Sequence, residues 1–291
     1  MEQVQDAVEK ILIERGHAQT AKEYILYRAE RTRVRSMNTK LMKIYEDLTF
    51  RDAAENDVKR ENANIDGDTA MGTMLKYGSE GAKQFYEMYV LDPKHADAHI
   101  TGDIHIHDLD FLTLTTTCCQ IDLNKLFSGG FSTGHGFIRE PKHIQTYSAL
   151  ACIAIQSNQN DQHGGQSIPD FDYAMAPGVK KTYRSLYEQN LAKSINFLRE
   201  SEDGEKIVAE VSAKIESEKG IAANMADEPG YLDVEAEYLK EYLTPEEIAK
   251  SQRYAKKYAD KEIVRNTYQA MEAFVHNLNT MHSRAGAQIP F

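Results

Sequence analysis

Apolar positions recur at helical spacing through most of the chain. Val4, Val8, Ile11 and Leu12 mark a first short helix, and Tyr24, Tyr27 and Leu41 carry a second from about Ala21 to Leu48, with the arginines of YRAERTRVR on its solvated face. Asn62 to Gly72 is rich in turn formers, after which MLKYGSEGAKQFYEMYVL resumes the helical period until Asp92-Pro93. Strand signals begin at Asp103, where DIHIH alternates with period two and LTLTTTCCQI is threonine-rich and β-prone. FSGGFSTGHGFIREP reads as a glycine-rich connection. Helix returns at Pro141: HIQTYSALACIAIQS is apolar enough to be buried, NQNDQHGGQSIPDFD reads as a polar loop, and Gly178 to Lys219 is charged and helical. At Thr244-Pro245-Glu246-Glu247 a capping box coincides with proline at the first helical position. The helix it opens carries Ile248, Tyr258, Met271, Phe274, Leu278 and Met281. Helix should therefore dominate an α/β fold. From Ser201 to Glu241 the composition turns acidic with few β-formers, and MADEPGY marks this stretch as a candidate mobile insertion.

The length of 291 residues suits about two domains or one large α/β domain. No apolar run approaches a membrane span and none follows MEQVQDAVEK, so a soluble, cytoplasmic protein is expected, with no membrane partner. The net charge of −11 opposes nonspecific binding to nucleic acid, and a nucleotide would need a local basic pocket. Cys118, Cys119 and Cys152 do not make an extracellular disulfide framework and are expected reduced.

Three groups of residues are candidates for chemistry. On a strand, His105 and His107 point to one face and could share a metal ion, with Asp103 or Asp108 nearby. Without C-x-x-C or H-E-x-x-H to add ligands, their more ordinary role is to hydrogen-bond the neighbouring aspartates, and no bound metal is expected. A D-x-H-x-H strand end also resembles metal-dependent hydrolases of the amidohydrolase type, which is the alternative enzyme class; a non-catalytic nucleotide-binding module is a further one. Cys118 and Cys119, adjacent on a strand, face opposite sides, so one at most should be catalytic, while Cys152 inside ALACIAI is a small apolar filler. The amides of Gln156, Asn158, Asn160, Gln162 and Gln166 around Gly164-Gly165 suit a nucleobase or sugar edge. There is no P-loop or dinucleotide fingerprint.

Taken in order, ENANIDGDTAMGTMLKYGSE, GDIHIHDLDF, TTTCCQIDL, GFSTGHGFIREP, IAIQSNQNDQHGGQSIPDFDYAMAPGV and FVHNLNTMHSRAGAQIPF resemble the anaerobic (class III) ribonucleoside-triphosphate reductases. The resemblance runs from about residue 10 to the C-terminus. It implies the ten-stranded α/β barrel of the ribonucleotide reductase and glycyl radical enzymes, of which residues 36–291 would form the first, incomplete part. VEKILIERGHAQTAKEYILYRAER, within residues 1–35, is similar to the closing helices of an ATP-cone. The implied reaction reduces ribonucleoside triphosphates to deoxyribonucleoside triphosphates by thiyl radical chemistry in a homodimer.

The reducing cysteine of the family lies in a C-x-x-x-D-L pattern, which starts here at Cys118. Its sulfur is then expected in the barrel-interior cleft, with Cys119 packed on an outer helix. His107, Asp108, Thr117, His163, Gly164 and Gly165 are the implied substrate contacts. The implied effector contacts are Asp122, Arg139, Lys142, His143, Gln156, Asn160 and Gln166. The family's glycyl radical, structural zinc and thiyl-forming cysteine have no counterpart in this sequence, so it reads as an N-terminal portion that is not active alone. Implied partners are deoxynucleotide or ATP effectors, a radical-SAM activating enzyme, and formate or a thioredoxin-like reductant.

Overall fold

The computed structural model describes residues 2–50, 69–114, 117–134, 136–224 and 230–281. Two compact units divide at Thr117 and Cys118. The first contains α1 (Glu2–Glu14), α2 (Ala18–Thr49), α3 (Ala70–Phe85) and α4 (Pro93–Thr101). Arg28 of α2 bridges Asp6 and Glu9 of α1, fixing that pair. Tyr45 of α2 donates to the Tyr77 carbonyl of α3 at 2.9 Å, and the two rings lie 5.1 Å apart. Thr69 caps α3 by accepting from the Gly72 amide; Asp92 and Pro93 open α4 as cap and first residue. Of the turn-former stretch Asn62 to Gly72, residues 62–68 lie outside the described residues.

The expected strand over DIHIH does not form. Gly102, at φ 86°, ends α4 in the left-handed conformation, and the amides of Asp103 and Ile104 are spent on the Ala98 carbonyl at 2.9 and 3.2 Å. The Ile106 amide donates to His99 Nδ1 at 3.2 Å, so three of the five DIHIH amides are committed to α4 rather than to a ladder before a 3₁₀ turn at Leu109–Phe111. Two of the stretches read as connections hold short strands instead. The first is in FSGGFSTGHGFIREP, where β2 (Phe131–Ser132) pairs antiparallel with β3 (Phe137–Ile138). Gly130, at φ 86°, permits this because a Cβ there would stand 2.2 Å from the Ile138 carbonyl oxygen. The second is β4 (His163–Ser167), which pairs with β1 (Thr117–Gln120), the only strand formed within LTLTTTCCQI among the described residues.

The second unit is built on α6 (Ile144–Asp161), α7 (Phe171–Arg199), α8 (Gly204–Lys219), α9 (Tyr231–Leu239) and α10 (Pro245–Thr280), with the short α5 (Leu123–Phe127) before β2. The capping box at Thr244 forms as expected, Glu247 receiving the Thr244 amide at 2.8 Å. One core joins α7, α8, α9 and the first half of α10 through Ile195, Ile207, Val211, Ile215, Leu239 and Ala255. Much of the stretch read as a mobile insertion is thus part of this core, while residues 225–229 of MADEPGY lie outside the described residues. A second core joins α5, α6, the start of α7 and the end of α10 through Leu123, Phe127, Tyr147, Ile155 and Phe274. Each such aliphatic side chain, fully buried, contributes roughly 1.5–3 kcal/mol. Cys152 belongs to the second core, and burial pushes its thiol up from the ordinary value. No helix among the described residues is long and apolar enough to cross a membrane.

Candidate functional site

β1 brings the two adjacent cysteines to the edge of the second core. Cys118 has φ 66°, a left-handed conformation rare for a residue with a side chain, so the strict alternation expected across Cys118 and Cys119 does not hold. Cys118 is exposed and Cys119 half-buried. Cys119 packs against α6, where Asn158 Nδ2 donates to its Sγ at 3.0 Å. The same Asn158 nitrogen lies 2.8 Å from Gln166 Oε1, tying α6 to β4. Ile121 continues the tie through its amide, which donates to the Ser167 carbonyl at 2.8 Å. Gln166 is 5% exposed, and its Nε2 finds no hydrogen-bond partner among the described residues.

Beside these residues opens a cavity of about 800 Å³. Ile121, Leu126, Phe131 and Ala154 give it an apolar wall; Cys119, Gln120, Ser132, Thr133, Ser157 and Asn158 supply polar atoms. Its charged groups are Asp122, Lys125 and Asp161. Asp122 caps α5 by accepting from the Lys125 amide at 3.1 Å, and its other oxygen lies 3.5 Å from Lys125 Nζ. Such a lining suits an organic ligand with an aromatic or aliphatic body and several hydrogen-bonding groups.

Of the residues proposed from sequence, Asp122 lines this cavity and Gln166 stands behind Asn158. His163 is buried on β4, while Gly164, at φ 99°, and Gly165 occupy the same strand, with open space where a Gly165 Cβ would be. Gln156 is half-buried on α6; the side chains of Asn160 and Thr117 lie outside the described residues. Arg139, Lys142 and His143 are exposed on the segment from β3 to α6 and are not among the cavity's lining residues. The glycine and amide content pointed to this region, but Asp161, Phe131, Ser132 and Thr133 were not singled out.

In the first unit, His107 and Asp108 belong to a separate small cavity of about 260 Å³, also lined by Lys83, His99, His105 and Asp110. The His99 and His105 rings are 5.7 Å apart and those of His105 and His107 6.0 Å, while His107 Nε2 lies 3.3 Å from Asp108 Oδ2. The two histidines do not share a strand face, which removes the geometric premise of a two-histidine metal site. No group of three or more His, Cys, Asp or Glu among the described residues is placed to hold a metal ion.

A helix-rich α/β chain in which half-buried Cys119 lines the cavity, while Cys118, expected in the cleft, is exposed and not among the lining residues, defines a candidate for enzymatic thiol chemistry. A family model described as anaerobic ribonucleoside-triphosphate reductase matches residues 61–291, and this chain belongs to that family of enzymes. It is similar to proteins named anaerobic ribonucleoside-triphosphate reductase in Haemophilus influenzae and Escherichia coli. The identity is 30% and 31% over 183 residues, which make up 62% of this chain and 26% and 25% of those proteins. The protein of that name from Enterobacteria phage T4 is 29% identical over 154 residues, 48% of this chain and 24% of its own length. The chain thus matches about a quarter of the length of these relatives.

Proposed function

We propose that this chain takes part in the anaerobic reduction of ribonucleoside triphosphates to deoxyribonucleoside triphosphates. It would contribute the first strands and helices of the family's barrel and the reducing cysteine. The observation that carries the reading is Cys118-Cys119-Gln120-Ile121-Asp122-Leu123, the C-x-x-x-D-L pattern, lying inside the matched region with an exposed thiol at its first position. Cys118 would donate a hydrogen atom to the substrate after a thiyl radical removes the 3′ hydrogen and the 2′ hydroxyl leaves as water. His107, Asp108, Thr117, His163, Gly164 and Gly165 are the proposed substrate contacts.

The cavity beside Asp122 is the proposed seat of a deoxynucleotide effector, with Phe131 available to a base and Asn158, Ser132 and Thr133 to its polar edge. With two carboxylates against one lysine, the cavity itself does not favour a triphosphate. The phosphates would be met outside it by Arg139, Lys142 and His143. Gln156, Asn160 and Gln166 complete the proposed effector set. A glycyl radical generated by a radical-SAM enzyme, formate or a thioredoxin-like reductant, a homodimer and a cytoplasmic setting belong to the same proposal.

Hydrogen exchange with saturating deoxynucleoside triphosphate tests the effector site. Protection is expected over residues 122–142 and 156–166, and no protection in either segment refutes it.

A further inference from the structure

The outward face of α10 is unlike the rest of this acidic chain. Tyr254, Lys257, Tyr258, Lys261, Arg265 and Tyr268 are all exposed and fall within an arc of about 100° at 3.6 residues per turn, opposite the buried side at Ala255, Ala259 and Ile263. No Asp or Glu between Tyr254 and Tyr268 shares that arc: Asp260 pairs with Lys256 at 3.0 Å, and Glu262 accepts from Asn190 at 3.3 Å. Lys257, Lys261 and Arg265 therefore form a ladder of like charges four residues apart, without an ion pair among the described residues. Elsewhere on the helix the same spacing pairs opposite charges, Lys250 with Glu246 and Lys256 with Asp260. Like charges at this spacing weaken a helix, so the ladder destabilises the free protein and an anion laid along it relieves the repulsion. The tyrosines bracket the ladder. Tyr268 is 67% exposed, and the Tyr254 and Tyr258 rings lie 4.5 Å apart.

We propose that this face of α10 binds single-stranded DNA without regard to sequence, its cations meeting phosphates and its tyrosines stacking bases. Rings and cations are interleaved over about 21 Å of helix axis at 1.5 Å per residue. That combination holds unpaired strands of any sequence, because every base has a face to stack. A duplex keeps its bases stacked inside and offers the rings nothing, and a second copy of this chain would bring the same positive ladder against itself. An acidic protein segment would satisfy the cations alone. Within the arc no carboxylate or amide is available to accept from a ribose 2′ hydroxyl, which favours DNA over RNA. The net charge of −11 opposes approach from a distance, but screening over about 8 Å at physiological salt leaves direct contacts with the ladder in force. The binding is independent of the reductase reading. Taken with that reading, it would hold a maker of deoxyribonucleoside triphosphates beside the strand on which they are consumed.

The test is fluorescence anisotropy of a fluorescein-labelled oligothymidylate titrated with the full chain. Contacts from the three cations of the ladder predict a loss of about 20-fold in affinity between about 50 and 200 mM salt, at a slope of roughly 0.7 per contact on single strands. Replacing the ladder by Lys257→Gln, Lys261→Gln and Arg265→Gln together should remove that salt dependence and most of the binding. Circular dichroism should show the helix retained in this variant, with a raised thermal midpoint because the like charges are gone. Tyr268→Ala should weaken binding about fivefold or more and leave the salt slope unchanged, which a purely electrostatic surface would not show. Absence of binding at low salt, undiminished binding by the glutamine variant, or undiminished binding by Tyr268→Ala overturns the proposal. So does displacement of the oligothymidylate by a duplex or by polyglutamate as readily as by unlabelled oligothymidylate. Tighter binding of oligouridylate would move the site to RNA and overturn the assignment to DNA.

Discussion

Asn158 Nδ2 stands 3.0 Å from the sulfur of Cys119 and 2.8 Å from Gln166 Oε1, so one α6 amide holds both strands of the β1 and β4 pair. Removing it deprives a buried glutamine of its donor, while Gln166 Nε2 already has no partner among the described residues. Asn158→Ala should destabilise the protein by about 1–3 kcal/mol, the cost of an unsatisfied buried polar group. Urea unfolding monitored by circular dichroism measures this. Faster alkylation of Cys119 in the native variant should accompany it, since the thiol loses its tether. An unchanged midpoint and unchanged alkylation rate would show that the tether carries no energy.

Gly178 of α7 lies under the Tyr147 ring of α6. A Cβ at this position would stand 2.7 Å from Tyr147 Cδ2 and 2.8 Å from Cγ. Alanine is the better helix former by about 1 kcal/mol. The ring, however, is buried, packs edge-on against Phe127 at 5.0 Å and has Lys181 over it at 5.6 Å, so it cannot yield cheaply. Overpacking of about 1–3 kcal/mol should win, and Gly178→Ala should lower the thermal midpoint. Combined with Tyr147→Leu, it should cost less than the two single changes added together.

Glu235 of α9 is 2% exposed, accepting from Tyr187 at 2.5 Å and from Gln252 at 3.0 Å. Burial pushes its carboxyl from 4.5 up to about 7, against those hydrogen bonds, which favour the charged form. Burial, with the neighbouring Glu235 charge, also raises Tyr187 far above its ordinary value. Between the two Glu235 values the folded protein keeps a proton that the unfolded chain has lost. Stability from this group is therefore complete below about pH 4.5 and falls as pH rises through about 7, by roughly 3 kcal/mol in total. Urea midpoints of wild type and Glu235→Gln at about pH 5 and about pH 8 check the sign: the wild type should lose more stability across that interval than the variant. Equal losses would mean that Glu235 titrates normally.

How much of this was legible in sequence depended on whether the deciding interaction was local. The start of α10 was, because Thr244, Pro245 and Glu247 satisfy one another within four residues. The long second helix was legible from its period. DIHIH was misleading because its alternation is real but its amides go to Ala98 and His99 on the preceding helix. β4 was invisible because His-Gly-Gly-Gln-Ser has no β-forming residue, and the strand exists only through pairing with a partner more than forty residues upstream. At the site, the cysteine pattern and the amide-rich segment stood out as motifs. The contact from Asn158 to Cys119 did not, since it joins positions separated by 39 residues.

The sharpest test of the catalytic proposal is Cys118→Ser in the assembled enzyme, under anaerobic conditions with the activating enzyme, a ribonucleoside triphosphate and a reductant. Serine matches cysteine in shape, but its O–H bond is too strong to surrender a hydrogen atom to a carbon radical as a thiol does. The exposed, left-handed position of Cys118 makes a folding defect an inadequate explanation for lost activity, because an exposed side chain contributes little to the core. Deoxyribonucleotide formation should fall to background while the glycine-centred radical, read by electron paramagnetic resonance, still accumulates. If product forms at the wild-type rate, Cys118 does not reduce the substrate. If product and radical vanish together, the residue acts before substrate reduction, and the assignment of Cys118 as hydrogen donor is wrong.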